Sequence, residues 1–112
     1  MDASQESEFE QLAGTYLEHL FETLEEQDEG GILDIDYEAG SLTITLKNGK
    51  TFLVSKHAPT RQLWLSSPIS GGLHFMPADG GKDWKLKDGR RLSIVLAEEL
   101  RHLTGAAFEL QE

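Results

Sequence analysis

Leu33-Asp34-Ile35-Asp36-Tyr37-Glu38-Ala39-Gly40-Ser41-Leu42-Thr43-Ile44-Thr45-Leu46 decides the fold. Leu33, Ile35 and Tyr37 alternate with three carboxylates, and Leu42, Ile44 and Leu46 alternate with Ser41, Thr43 and Thr45. A period of two marks strands with one apolar and one polar face. Ala39-Gly40 between them fits a two-residue hairpin turn. The stretch therefore predicts an antiparallel sheet, buried on one side and wet on the other.

Downstream the pattern repeats. Asn48-Gly49 turns into a third strand, Thr51 to Lys56. A fourth spans Gln62 to Ser66, a fifth Leu73 to Met76 and a short sixth Trp84 to Lys87. Upstream, Phe9, Leu12, Ala13, Tyr16, Leu17, Leu20, Phe21 and Leu24 recur at helical spacing and form one apolar stripe. Ser7 and Glu10 are placed to form a capping box, and Gly30-Gly31 stops the helix. Asp88-Gly89 leads into a second amphipathic helix carrying Leu92, Val95, Leu96, Leu100 and Leu103, ended by Gly105. The expected fold is α+β: a two-layer α/β sandwich, with two helices on one face of a five- to six-stranded antiparallel sheet. The 112 residues suit a single domain, 1–112, with tails at 1–6 and 106–112.

Charge is polarised along the chain. Residues 1–46 hold 13 Asp and Glu and no Lys or Arg; the remainder holds 7 acids and 10 bases. The two parts carry −13 and +3 of the net −10. Such asymmetry favours a cation at one end and a partner at the other. The few bases form no long cluster, which argues against nucleic acid. No apolar run approaches the ~18 residues of a membrane span, so no membrane partner is expected. With no cysteine, thiolate metal sites, disulfides and a cysteine nucleophile are excluded. The acidic start, Met1 to Gln11, lacks the basic flank and apolar run of a signal peptide.

The outer face of the first helix carries Glu18, Glu22, Glu25, Glu26 and Glu29, with Asp28 near its end. Glu18, Glu22, Glu25 and Glu29 follow at intervals of 4, 3 and 4, so they line one side. Each like-charged pair costs about 0.2–0.5 kcal/mol, and no lysine four residues on relieves it. Carboxylates near a helix C-terminus also oppose its dipole. Asp34 and Asp36 follow on the wet face of the first strand. A solvated face that aids solubility accounts for part of this. An open row of carboxylates also suits hard or borderline cations, including Ca²⁺, Mg²⁺, Mn²⁺ and iron, held weakly through one or two ligands each. His19, three residues before Glu22, either adds a nitrogen ligand or packs at the border of the stripe.

In the fourth strand Leu63 and Leu65 share the core phase, which turns Trp64 outward with Gln62 and Ser66. An outward tryptophan in a polar phase marks either a surface that a partner covers or one where the ring covers neighbouring side chains. His74 is outward on the next strand, and Thr51, Leu53, Ser55 and His57 are outward on the third. Trp84 shares its phase with Leu86 and belongs to the core.

The segment Lys56-His57-Ala58-Pro59-Thr60-Arg61-Gln62-Leu63-Trp64-Leu65-Ser66-Ser67-Pro68-Ile69-Ser70-Gly71 resembles the signature of the frataxin family. Ser7-Glu8-Phe9, Leu12-Ala13, Asp34-Ile35-Asp36, Leu42-Thr43-Ile44 and Gly81-Lys82-Asp83-Trp84 are similar to the bacterial, CyaY-like members. The resemblance spans residues 7–104 and implies the same sandwich. It implies Fe²⁺ or Fe³⁺ weakly bound, with other divalent cations as substitutes, by Glu18, Glu22, Glu25, Glu26, Asp28, Glu29, Asp34 and Asp36. It implies contact with the cysteine desulfurase and the iron–sulfur scaffold protein through Ser55, Gln62, Trp64 and His74. It also implies a monomer that iron can drive into oligomers. The compartment implied is a bacterial cytoplasm, or the mitochondrial matrix for a processed eukaryotic precursor.

Two alternatives stand beside an iron donor or regulator of cluster assembly. One is an acidic interaction module without a metal role; the other is a ferroxidase, although no catalytic residues are assigned. Three positions depart from the family pattern. Ser55 stands where Asn is common and His57 where Gln is common. Arg91 stands where Ser or Thr often opens the last helix, so that cap is missing unless Asp88 supplies it.

Overall fold

The computed structural model describes residues 3–110. The order is α1 (Ala3–Gln27), β1 (Leu33–Glu38), β2 (Ser41–Leu46), β3 (Thr51–His57), β4 (Gln62–Ser67), β5 (Gly71–Ala78), β6 (Asp83–Lys85) and α2 (Leu92–Thr104). All six strands join in sequence order as one antiparallel, open sheet. This is the expected two-layer sandwich.

Strand alternation places the core. Leu42, Ile44, Phe52, Val54, Leu63, Leu65 and Phe75 point inward and are buried. Phe9, Ala13, Leu17, Leu20 and Leu24 of α1 meet them, with Leu92, Leu96 and Leu100 of α2. Trp84 is fully buried, as its phase predicts, and packs edge-on against Phe9 at 6.0 Å between ring centroids. At the β1–β2 turn Ala39 and Gly40 both have positive φ, at 50° and 80°. Gly40 has a second reason to be glycine, because the Lys56 chain crosses the place its Cβ would take.

Several boundaries differ from the sequence reading. α1 begins at Ala3, so Ser7 lies within the helix and caps nothing. Glu10, its expected partner in the capping box, instead forms an ion pair with Lys56 on β3. β5 is longer at both ends than expected, and β6 is Asp83–Lys85, one residue earlier at its start. Short 3₁₀ turns at Ala58–Thr60 and Asp79–Gly81 link the strands.

The side-chain cap of α2 is missing, as the sequence allows, and Asp88 does not supply it. Arg91 occupies the cap position with extended backbone and no side-chain capping bond. Asp88 accepts from the N–H and Nε of Arg90, at 3.0 and 2.9 Å, and so closes the preceding turn. The carboxylate facing the first turn of α2 is Asp83, from β6, whose Oδ2 accepts the Ser93 hydroxyl at 2.6 Å. An anion there complements the helix dipole.

Of the expected tails, residues 1–2 and 111–112 lie outside the described residues. After Gly105 the chain returns to the helices, and Phe108 and Leu110 join the core. The Arg101 guanidinium donates to the Phe108 carbonyl at 2.6 Å, and the Glu109 N–H donates to Gln27 Oε1 at 2.7 Å.

Candidate functional site

Two surfaces carry the predicted residues. The first is α1. Glu18, Glu22, Glu25 and Glu26 are exposed along it, whereas Glu29, expected on the same face, is exposed in the turn beyond the helix end at Gln27. Among the described residues none of the five takes part in an ion pair. No group of three or more described His, Asp or Glu residues converges closely enough to enclose an ion. The ridge is therefore an open row, helical in spacing from Glu18 to Glu25 and continued by Glu29 past the end of the helix. His19 is exposed beside it.

Asp28 plays a different part in the chain. Its Oδ1 accepts the Ile32 N–H at 2.8 Å and its Oδ2 the Leu33 N–H at 3.0 Å. It thereby fixes the turn from α1 into β1, with one further lone pair on each oxygen.

The second surface is the open face of the sheet. Register settles which side chains share it, because directly paired residues point the same way. One row crosses five strands: Glu38, Ser41, Ser55, Trp64 and His74. The next holds Asp36, Thr43, Leu53, Ser66 and Gly72. A third holds Asp34, Thr45 and Thr51. Asp34 and Asp36 thus lie on the same face as Trp64, in the layer opposite the glutamates of α1. Glu38 completes their column and was not singled out by the sequence; its place follows once register is known.

Trp64 is half-buried, and its cover is specific. His57 stacks on one side of the indole at 3.8 Å between centroids and 14° between planes. His74 stacks on the other at 4.3 Å and 12°. The indole Nε1 donates to Gln62 Oε1 at 2.8 Å, which also accepts the Thr60 hydroxyl at 3.0 Å. His57 Nδ1 lies 2.8 Å from Thr60 Oγ1, and Gln62 Nε2 reaches Met76 Sδ at 3.4 Å. The structure therefore brings Gln62, Trp64 and His74 into one unit, with Ser55 paired beside Trp64. Pattern reading missed the stack itself, along with Thr60 and Met76, because pleat alternation gives a face but not ring planes. Met76 is 45% exposed and adds an apolar margin.

The loop after β4 is held by Ser67. Its Oγ accepts the N–H groups of Ile69 and Ser70, at 3.0 and 3.1 Å, and donates to Glu99 of α2. The Ser-Ser-Pro-Ile-Ser-Gly segment thus ties this face to the helical layer behind it.

A frataxin-like domain family model matches residues 2–106. The mitochondrial frataxin of Arabidopsis thaliana is 34% identical over 110 residues, which cover 95% of this chain and 59% of that protein. The chain spans 54–62% of the length of the mitochondrial relatives it matches. Among solved structures, a frataxin from Psychromonas ingrahamii of the CyaY family superposes with a TM-score of 0.84 at 24% identity, covering 96% of this chain and 98% of that one. That likeness concerns the fold. A trimeric frataxin from Saccharomyces cerevisiae complexed with ferrous iron superposes with a TM-score of 0.73 at 31% identity, covering 84% of this chain and 86% of that one. The family model covers nearly the whole chain and the sandwich agrees with it, and the chain belongs to the frataxin family.

Proposed function

We propose that this chain is an iron donor and regulator of iron–sulfur cluster assembly. It binds Fe²⁺ or Fe³⁺ weakly through Glu18, Glu22, Glu25, Glu26, Asp28, Glu29, Asp34 and Asp36. It meets the cysteine desulfurase and its scaffold protein through Ser55, Gln62, Trp64 and His74. The carrying observation is the exposed carboxylate ridge, without a cationic partner among the described residues. The yeast relative complexed with ferrous iron supports the choice of metal. The chain is a monomer that iron drives into oligomers; the trimeric yeast relatives support a capacity to assemble, one complexed with ferrous iron and one named without it. The chain works where clusters are assembled, in a mitochondrial matrix or a bacterial cytoplasm; the relatives named as mitochondrial favour the former.

The test is an NMR titration with Fe²⁺, then with the desulfurase–scaffold complex. Iron should broaden the resonances of Glu22, Glu25, Glu26 and Asp34, and the protein partner should shift those of Ser55, Trp64 and His74. Iron that broadens nothing on α1 or β1 removes the donor role.

The open geometry of the ridge favours one second reading, electrostatic steering toward a basic partner. Charge reversal at Glu22, Glu25 and Glu26 separates the two. Lost iron with intact partner affinity supports carriage; the reverse supports steering. Ferroxidase activity requires many Fe²⁺ ions oxidised per chain, faster than in buffer.

A further inference from the structure

β1 ends the sheet, and among the described residues no strand pairs with its outer side. The two-residue turn at Ala39-Gly40 sets which backbone groups that side presents. The pair closing such a hairpin, Glu38 and Ser41, exchanges both of its hydrogen bonds. Alternation then commits Asp36 and Asp34 to β2 as well. It turns the N–H and C=O of Ile35 and Tyr37 to the open edge. Leu33 has the same phase, and its N–H leaves the sheet to meet Asp28. Asp28 therefore closes the edge at its beginning, and Ile35 and Tyr37 leave it open beyond.

The side chains add chemistry to this edge. Ile35 and Tyr37 are half-buried on the inner face, and Tyr37 meets the half-buried Phe21 ring of α1 at 6.0 Å between centroids. Together they form an apolar seam. Glu18 and Glu25 are the helical neighbours of Phe21, three residues before and four after it. Asp34, Asp36 and Glu38 line the other side of the seam, on the open face. The edge has no lysine, no proline and no bulge, the usual devices that discourage pairing. A second copy is a poor occupant, since like charges would face each other across the new pair. Acid on both sides of an apolar seam selects a cationic occupant.

We infer that the β1 edge is a strand-addition site for an extended basic segment of a partner protein. The segment pairs with the N–H and C=O groups of Ile35 and Tyr37. Its alternate apolar side chains cover Phe21, Ile35 and Tyr37, and its Lys or Arg side chains lie beside Asp36 and Glu38. The site is three strands from Trp64, roughly 14 Å at the usual strand spacing, so one partner can occupy both. It does not rest on the iron reading.

The test uses the whole chain and the synthetic peptide Lys-Val-Lys-Val-Lys-Val. Amide exchange followed by NMR should slow at Ile35 and Tyr37 when the peptide binds. Two further peptides carry N-methyl groups, one on the valines and one on the lysines. Only one phase of amides faces β1, so one of them should bind about tenfold weaker and the other like the parent. Ile35→Pro removes an N–H that the sheet does not use and should abolish the exchange effect at Tyr37, whereas Ile35→Val keeps that N–H and should preserve it, which separates the lost donor from the lost side chain. Fe²⁺ binding by the Ile35→Val variant should be unaltered, and peptide binding without any iron present keeps this result apart from the iron reading. Absent binding, unslowed exchange at Ile35 and Tyr37, or equal binding of all three peptides would overturn the proposal.

Discussion

The Ser93 hydroxyl donates to Asp83 Oδ2 at 2.6 Å, and this one buried carboxylate joins three elements. Its Oδ1 accepts the Tyr16 hydroxyl from α1 at 3.2 Å and the Trp84 N–H of β6 at 2.8 Å. The Ser93 N–H of α2 lies 3.5 Å from the same oxygen, and Arg91 Nη1 lies 3.5 Å from Oδ2. Removing the carboxylate leaves several donors without an acceptor in a dry site. Asp83→Ala should destabilise the fold by about 3–5 kcal/mol, the range for breaking a buried polar network by removing one partner. Ser93→Ala removes one bond and should cost about 1 kcal/mol. Urea unfolding of the two variants tests the ranking; a smaller loss for Asp83→Ala would show the network to be dispensable.

Tyr16 gives that network a pH dependence. Burial, and next the adjacent Asp83 carboxylate, push its phenol well above the ordinary tyrosine range. The folded chain thus keeps this proton where the unfolded chain releases it. The stabilisation is complete below about pH 10, the unfolded value, and is lost progressively as the pH climbs toward the folded value. Tyr16→Phe should flatten the alkaline fall in melting temperature. Parallel alkaline curves for the two proteins would remove Tyr16 as its source.

Legibility in the sequence followed the range of the interaction. Leu33 to Leu46 announce a hairpin because alternation and the Ala39-Gly40 turn are local. The stripe from Phe9 to Leu24 announces α1 for the same reason. Ser7 misleads because a capping box is a local pattern, while the helix continues upstream to Ala3. In the sequence Asp28 looks like one more acid of the ridge and Asp83 like an ordinary surface acid. Asp28 meets backbone donors in the turn beyond its helix, and Asp83 meets α1 and α2 only after the sheet has formed. The shared face of Asp34, Asp36 and Trp64 depends on the register of four strands, which no single strand's pattern contains.

The Trp64 stack separates stability from recognition. Its rings lie outside the core, and its bonds are to Gln62 and the neighbouring imidazoles. Trp64→Ala should cost about 1–2 kcal/mol in stability, from two ring stacks and one hydrogen bond at a half-buried position. It should weaken binding to the desulfurase–scaffold complex by about 2 kcal/mol or more, the size of an interface hot spot. Calorimetry of binding beside thermal unfolding measures both. A large stability loss would make Trp64 a structural residue.

The ridge should behave as stored repulsion. Glu22→Lys turns three unfavourable neighbours, Glu18, Glu25 and Glu26, into attractive ones. It should raise stability by about 1–3 kcal/mol, from the pairwise cost of like charges and the gain of Glu–Lys pairs. The same change should weaken cation binding. In the unmodified chain monovalent salt should raise the melting temperature by screening. Divalent cations at equal ionic strength should raise it further by binding the folded state. Identical shifts with both salts would argue that the ridge holds no ions.

The chain beyond α2 supports the end of α1 that carries the last acids. Phe108 is 1% exposed, and Gln27 holds Glu109 through both its N–H and its carbonyl. The last turn of α1 has no basic residue to offset its dipole, so this contact supplies much of its support. Phe108→Ala should cost about 3–5 kcal/mol, the range for a buried phenylalanine. Gln27→Ala breaks the exposed clamp and should cost about 1 kcal/mol. Deleting everything after Gly105 combines both losses and also takes Leu110 out of the core. Amide exchange should then accelerate through Leu24 to Gln27, while the β3–β4 ladder keeps its protection. Uniform acceleration across the sheet would mean that the segment supports the whole fold and not the helix end alone.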